Sequence, residues 1–194
     1  MTRLEQAFEL FDAYNLKSPE QVIWDEIEYP SEYFYAHKLY DWVKKLEPNA
    51  SEALLLASRC QHIGRWEIAR NTYPEGRVGY LTWRSDLSKF HAQKAASILN
   101  SLDYDPETID RVAQIVQKKR LKLDAEVQTI ENALCLVFLQ FQYDDLVSKL
   151  SEEKMIVVLQ KTWAKMTEPG KQIALSLTYS NLGSELLHKA LATD

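Results

Sequence analysis

Apolar positions recur at helical spacing through most of this chain. Leu4, Ala7, Phe8, Leu10, Phe11 and Tyr14 fall on one face of residues 2–15 and predict a helix there. Ser18-Pro19-Glu20 has the form of a helix start, so 19–28 is expected to be a short helix or turn. Pro30-Ser31 restarts the chain, and a helix over 31–46 stops before Pro48. Asn49 or Ser51 caps the next helix, 51–62, which Gly64 closes. Pro74, Gly76 and Gly79 make 71–83 a loop. Helices are predicted at 84–101, at 106–119 after Asp105-Pro106-Glu107, and at 125–149 with a break near Asp144. Ser151 opens 151–166, Pro169-Gly170 interrupts, and a last helix covers 170–190. No alternating run competes with this pattern. The expected fold class is all-α, with roughly seven to nine helices.

Composition sharpens the picture. The chain has 194 residues, 46% of them hydrophobic, with only 5 Gly and 6 Pro. That suits a single domain over 1–194 rather than a linker-rich array. No apolar run approaches the roughly 20 residues of a membrane span, and the acidic, amphipathic start is not a secretory signal. Cys60 and Cys135 sit in apolar contexts and are expected to be buried free thiols. A reducing compartment follows, the cytoplasm or an organelle stroma.

The net charge of −5 argues against nucleic acid as partner. The charge is uneven. Residues 1–58 carry five basic against eleven acidic side chains; residues 59–94 carry seven basic against three acidic. A basic centre in an acidic protein points to a small anionic ligand. Arg59, Arg65, Arg70 and Arg84 are candidates to grip it, since a guanidinium binds oxyanions bidentately. The alternative is a set of structural or solvated arginines. Arg65 and Arg84 stand out because they flank histidine segments. Trp66, Tyr73, Tyr80 and Trp83 crowd the same region, as a ligand-stacking mouth or as pins for a loop. The run KKRLK at 118–122 could bind phosphate but reads better as a charged helix C-terminus favoured by the dipole.

Of four histidines, His188 lies in a polar C-terminal helix. His37, His62 and His91 each lie on or at the end of a helix in the first half. YAHKLYDWVKKL, LLLASRCQHIGRW, FHAQKAASIL, RVAQIVQKKRL and EVQTIENALCL occur in an order and spacing that resemble the HD-domain metal-dependent phosphohydrolases. The resemblance covers about residues 31–141, with 151–194 expected as C-terminal helices packed on that core. CQHIGRWEI, YLTWR, KFHAQKA and VQTIE-ALCLVFL resemble more narrowly an uncharacterised helical family of unknown function. Some of its members carry a glutamyl-tRNA synthetase label, but no synthetase nucleotide motif is present here.

The HD resemblance implies a metal site, yet Gln61-His62 stands where that family has His-Asp, and Asn132 where it has its last Asp. Two bridging or anionic ligands are thereby lost, which weighs against two-metal chemistry. What remains is one divalent metal, zinc, iron or manganese, on His37, His62 and His91, serving a hydrolase of a phosphorylated or other anionic metabolite. Gln61, Arg65, Arg84 and Asn132 would line the ligand site. Glu131 could supply a carboxylate only if its helix were rotated. The second expectation is a metal-free binding or regulatory protein on an HD-like scaffold that holds an anion through arginines. The substrate stays open, as does the choice between monomer and homodimer.

Overall fold

The computed structural model describes residues 1–192. Among them are ten α-helices and one two-stranded hairpin, so the all-α, multi-helix class holds. No helix among the described residues is long and apolar enough to cross a membrane. The chain forms two compact units, Met1–Val127 and Gln128–Asp194.

In the first unit, α1 (Arg3–Asn15) is opened by a Thr2–Glu5 capping box. The segment expected to be a helix or turn is instead the hairpin β1 (Gln21–Trp24) and β2 (Ile27–Pro30), with Gln21 opposite Pro30 and Trp24 opposite Ile27. Its loop, Asp25-Glu26, has positive φ at both residues (49° and 63°), the geometry that matches strand twist in a two-residue turn. Neither residue is the Gly or Asn that signals such a turn. A lone hairpin is marginal in water; this one is laid on α2 (Ser31–Leu46), where Trp24 and Tyr29 meet Phe34 with ring centroids 5.9 and 5.6 Å apart.

Ser51 caps α3 (Glu52–Cys60) by accepting from the Leu54 amide at 3.1 Å. The longest helix, α4 (Gly76–Ser101), starts well inside the expected 71–83 loop. Gly79 does not break it: a Cβ there would overlap the Pro74 carbonyl, so glycine lets the preceding turn fold against the helix. Asp105 caps α5 (Pro106–Val116) through the Thr108 amide. These helices enclose Phe11, Val43, Leu54, Leu56, Leu99 and Ile115, all essentially inaccessible to solvent.

After α5 the chain makes a Schellman ending, with Lys119 N–H to Gln114 C=O and Lys118 N–H to Ile115 C=O, both 2.9 Å. Lys118 therefore holds the left-handed position that usually belongs to glycine, at φ 54°. Arg111 bridges Asp124 at 2.6 and 2.8 Å and Glu126 at 2.9 Å. Asp124 in turn accepts from the amides of Glu126 and Val127 at the start of α6 (Ala125–Phe141). The turn holding Lys118 is thus fixed at both ends.

In the second unit, α6 continues to Phe141 and breaks before α7 (Tyr143–Val147), close to the expected Asp144. Then come α8 (Glu152–Trp163), α9 (Glu168–Leu175) and α10 (Asn181–Leu191). The expected single helix over 170–190 is two. Pro169 is in the first turn of α9, where its fixed φ and missing N–H are tolerated, and the break falls at 176–180. Ser180 then caps α10 through the Gly183 amide. Ile130, Leu136, Tyr143, Met155 and Leu159 are buried. Cys60 and Cys135 are both buried free thiols, and burial pushes the Cys60 thiol far up.

Candidate functional site

The segment after α3 builds the site. Cys60 is the last helical residue, Gln61 the cap, and Gly64 turns the chain with φ 67°. A Cβ at Gly64 would lie 2.9 Å from Glu67 Oε1, 3.0 Å from Phe90 and 3.1 Å from Tyr14. Glycine is required twice over here, by conformation and by space. Gly64→Ala is expected to cost about 1–2 kcal/mol and lower the Tm by roughly 2–8 °C, read by thermal unfolding. An unchanged Tm would show that the turn relaxes freely.

The side chains around this turn are tied to three helices, α1, α4 and α5. Gln61 Nε2 donates to the Val116 carbonyl at the end of α5, at 2.9 Å. His91 Nδ1, on α4, lies 2.7 Å from the Ile63 carbonyl. Trp83 Nε1 donates to the Ile68 carbonyl at 2.9 Å. The Tyr14 hydroxyl of α1 donates to Glu67.

Between the ends of α3 and α5 and the side of α4 lies a cavity of about 220 Å³. Gln61, His62, Arg65, Arg84, His91 and Lys118 line it, with Ser85, Ser88 and Gln117 adding polar groups. Three cationic residues, and no carboxylate, are among the lining residues. The His62 and His91 rings are 5.8 Å apart. Both are held neutral. Burial, then the charges of Arg65, His91, Lys118 and Arg84, drive the His62 pKa well below its usual value. Burial is also the main cause for His91, lowered to about 4, with the Ile63 hydrogen bond opposing and Arg65 and Arg84 reinforcing. Arg65 lies 5.4 Å over the Trp83 ring, and Arg84 6.0 Å from the Tyr80 ring centroid, with Nη1 3.3 Å from its hydroxyl.

Five residues expected at the site from the sequence, Gln61, His62, Arg65, Arg84 and His91, therefore meet in one cavity. Ser85, Ser88, Gln117 and Lys118 join them. Arg84, Ser88 and His91 fall at i, i+4 and i+7 of α4, a polar stripe that the sequence already displayed. Lys118, read as part of an ordinary charged helix end, lines the cavity.

His37 is elsewhere. Its Nε2 lies 3.1 Å from Asp12 Oδ2 and 2.7 Å from Arg59 Nη2, and its ring packs on Tyr33. Asp12, His37 and Arg59 join α1, α2 and α3, so Arg59 is structural, as is Arg70, which donates to the Tyr73 and Pro74 carbonyls at 3.0 Å. Asn132 belongs to the second unit. Its amide accepts from the Thr167 amide at 3.0 Å and donates to the Thr167 hydroxyl at 2.8 Å, which fixes the start of α9. Glu131 lies 3.7 Å from Lys165 in the same unit. His188 is exposed on α10.

A three-histidine metal set is therefore not assembled, and among the described residues no group of three or more His, Cys, Asp or Glu side chains could hold a metal ion. The cavity itself does not fit a divalent cation: two imidazoles face three positive side chains without an anionic ligand. The family model described as "Domain of unknown function (DUF4202)" matches residues 5–187, while no curated protein and no solved structure matches the chain.

Proposed function

The chain belongs to the DUF4202 family, a domain of unknown function, and we propose that it binds a small phosphorylated metabolite in the cavity beside His62 and His91. The observation that carries this reading is the lining: Arg65, Arg84 and Lys118 around two neutral histidines, without a carboxylate. A phosphoryl group matches three cations better than a single carboxylate does, because its oxygens accept several charge-assisted bonds at once.

One effect opposes an anion here. The cavity is bordered by the C-terminal ends of α3 and α5, where the helix dipole favours cations. The magnitudes decide the balance. A helix end contributes about 0.3–1 kcal/mol, whereas each hydrogen bond to a charged group contributes about 1.5–3 kcal/mol, so the cations win. Lys118 supports the same reading. A side chain in the left-handed region costs about 1–2 kcal/mol, and glycine at this helix end would avoid that cost.

Within the proposal, the HD-like scaffold suggested by the sequence resemblance is used for binding or regulation, with the phosphoryl group held by side chains. The single-metal hydrolase is disfavoured because His37 is engaged with Asp12 and Arg59. The test is calorimetric titration with inorganic phosphate, pyrophosphate and a panel of phosphorylated metabolites. Arg65→Ala and Arg84→Ala are each expected to weaken binding about tenfold, the equivalent of one lost charge-assisted contact. Binding no tighter than millimolar across the panel, or unchanged in both variants, overturns the proposal.

A further inference from the structure

Two of the residues that line the cavity carry a buried acceptor with nothing to accept. The Gln61 amide donates through Nε2 to the Val116 carbonyl at 2.9 Å, and a carbonyl can only accept, so the amide orientation is fixed. The remaining atom, Gln61 Oε1, is buried without a partner. His91 is fixed in the same way. Its Nδ1 faces the Ile63 carbonyl at 2.7 Å and must carry the proton, which leaves a lone pair on Nε2. That nitrogen too is buried without a partner. Gln61 is 4% exposed and His91 3%.

The cations hold any oxyanion; these two acceptors choose among them. A hydroxyl on the anion satisfies an acceptor. An oxyanion with no proton sets its own lone pairs against those of Gln61 and His91. We propose that the cavity selects an oxyanion that brings a proton with it, hydrogen phosphate or a singly protonated phosphate monoester. It then disfavours a fully ionised one such as sulfate, with Gln61 and His91 as the residues that discriminate. The proposal rests on the anion-binding reading above.

Proton supply gives it a second signature. The charged and titratable groups around His91 are His62 and Arg65 after α3, Arg84 on its own helix, and Lys118 after α5. None is anionic, so nothing in the cavity helps His91 take up a proton. Sulfate must draw that proton from solvent, whereas hydrogen phosphate carries its own.

The experiment titrates the full-length protein with phosphate, sulfate and monofluorophosphate at constant ionic strength. Monofluorophosphate resembles hydrogen phosphate in size but has fluorine in place of the hydroxyl. At pH 7.5, phosphate is expected to bind at least about tenfold more tightly than either proton-free anion, the effect of roughly one buried acceptor left unsatisfied. Between pH 7.5 and 6.5, sulfate affinity is expected to rise about tenfold, one proton per anion bound. Gln61→Met and His91→Gln are expected to shrink the phosphate-to-sulfate ratio by relieving the repulsion that sulfate meets, and His91→Gln to flatten the pH dependence of sulfate binding. The wild-type comparison stands even if a variant fails to fold. Equal binding of all three anions overturns this inference and leaves anion binding intact. Failure of all three anions to bind also overturns this inference, and the proposed function falls with it when the panel of phosphorylated metabolites fails to bind as well.

Discussion

Replacing Asp12 by alanine is expected to destabilise the protein by about 3 kcal/mol, at the lower end of the range for breaking a buried ion pair. The lower end applies because the Asp12 side chain keeps 21% of its surface exposed, against 7% for Arg59. Burial raises the Asp12 pKa, but hydrogen bonds and charge from His37 and Arg59 outweigh it, and the carboxyl titrates below its usual range. Its removal strands the Arg59 guanidinium among the rings of Phe8 and Tyr40, 4.8 and 5.5 Å away. Urea unfolding measures the effect directly. Adding Arg59→Leu is expected to restore part of the loss, because the unpaired charge goes with it. A cost under about 1 kcal/mol in the single variant would mean that solvent reaches Arg59 readily. A large cost places His37 in the framework of the first unit and outside the cavity chemistry.

The second large effect is a pair of opposed pH dependences. His91 is lowered to about 4 in the folded protein, chiefly by burial. The unfolded chain therefore takes up this proton first. The stability His91 contributes is complete above about pH 6.5 and is lost as pH falls toward 4, up to about 3 kcal/mol. Glu32 is 8% exposed, and burial pushes its carboxyl up to about 7; Arg65 opposes that shift and Glu20 adds to it. Here the folded protein takes up the proton first. Its contribution is complete below about pH 4.5 and is lost as pH rises through 7, again by up to about 3 kcal/mol. Over the shared window the two slopes have opposite sign, and each variant reveals the other group. Glu32→Gln is expected to be more stable than wild type at pH 8 and to lose stability more steeply on acidification. His91→Gln is expected to lose less. Urea midpoints at pH 8, 7, 6 and 5 read both, and parallel profiles for all three proteins would refute the assignment.

What was legible in the sequence was what local chemistry determines. The helix over 31–46, the Ser51 cap, the Gly64 turn and the Asp105-Pro106 start are set by neighbouring residues, and the structure keeps them. The hairpin was missed because Asp25-Glu26 adopts a positive-φ turn without its usual residues. The start of α4 was missed because Gly79 serves close packing against Pro74. The same division runs through the site. Gln61, His62 and Arg65 stand on one turn, and their common location could be read from spacing. His37 was expected in the metal set, and the partners that hold it elsewhere, Asp12 and Arg59, lie 25 and 22 residues away on other helices. Asn132 looked like a ligand by analogy of position, yet its amide is used to start α9. Lys118 was legible only as part of a charge run with two readings, phosphate binding or a helix end, and the left-handed turn that carries it is one that sequence alone would give to glycine.

The resting place of Arg65 has an optical consequence. Its guanidinium lies over the Trp83 indole, whose N–H is fixed by the Ile68 carbonyl. A ligand that draws the arginine toward the cavity changes the field across that ring, and with it the energy and yield of its emission. Trp83 is one of five tryptophans, so subtracting the spectrum of a Trp83→Phe variant isolates its signal. Occupancy of the cavity could then be followed by light, without labelling the protein.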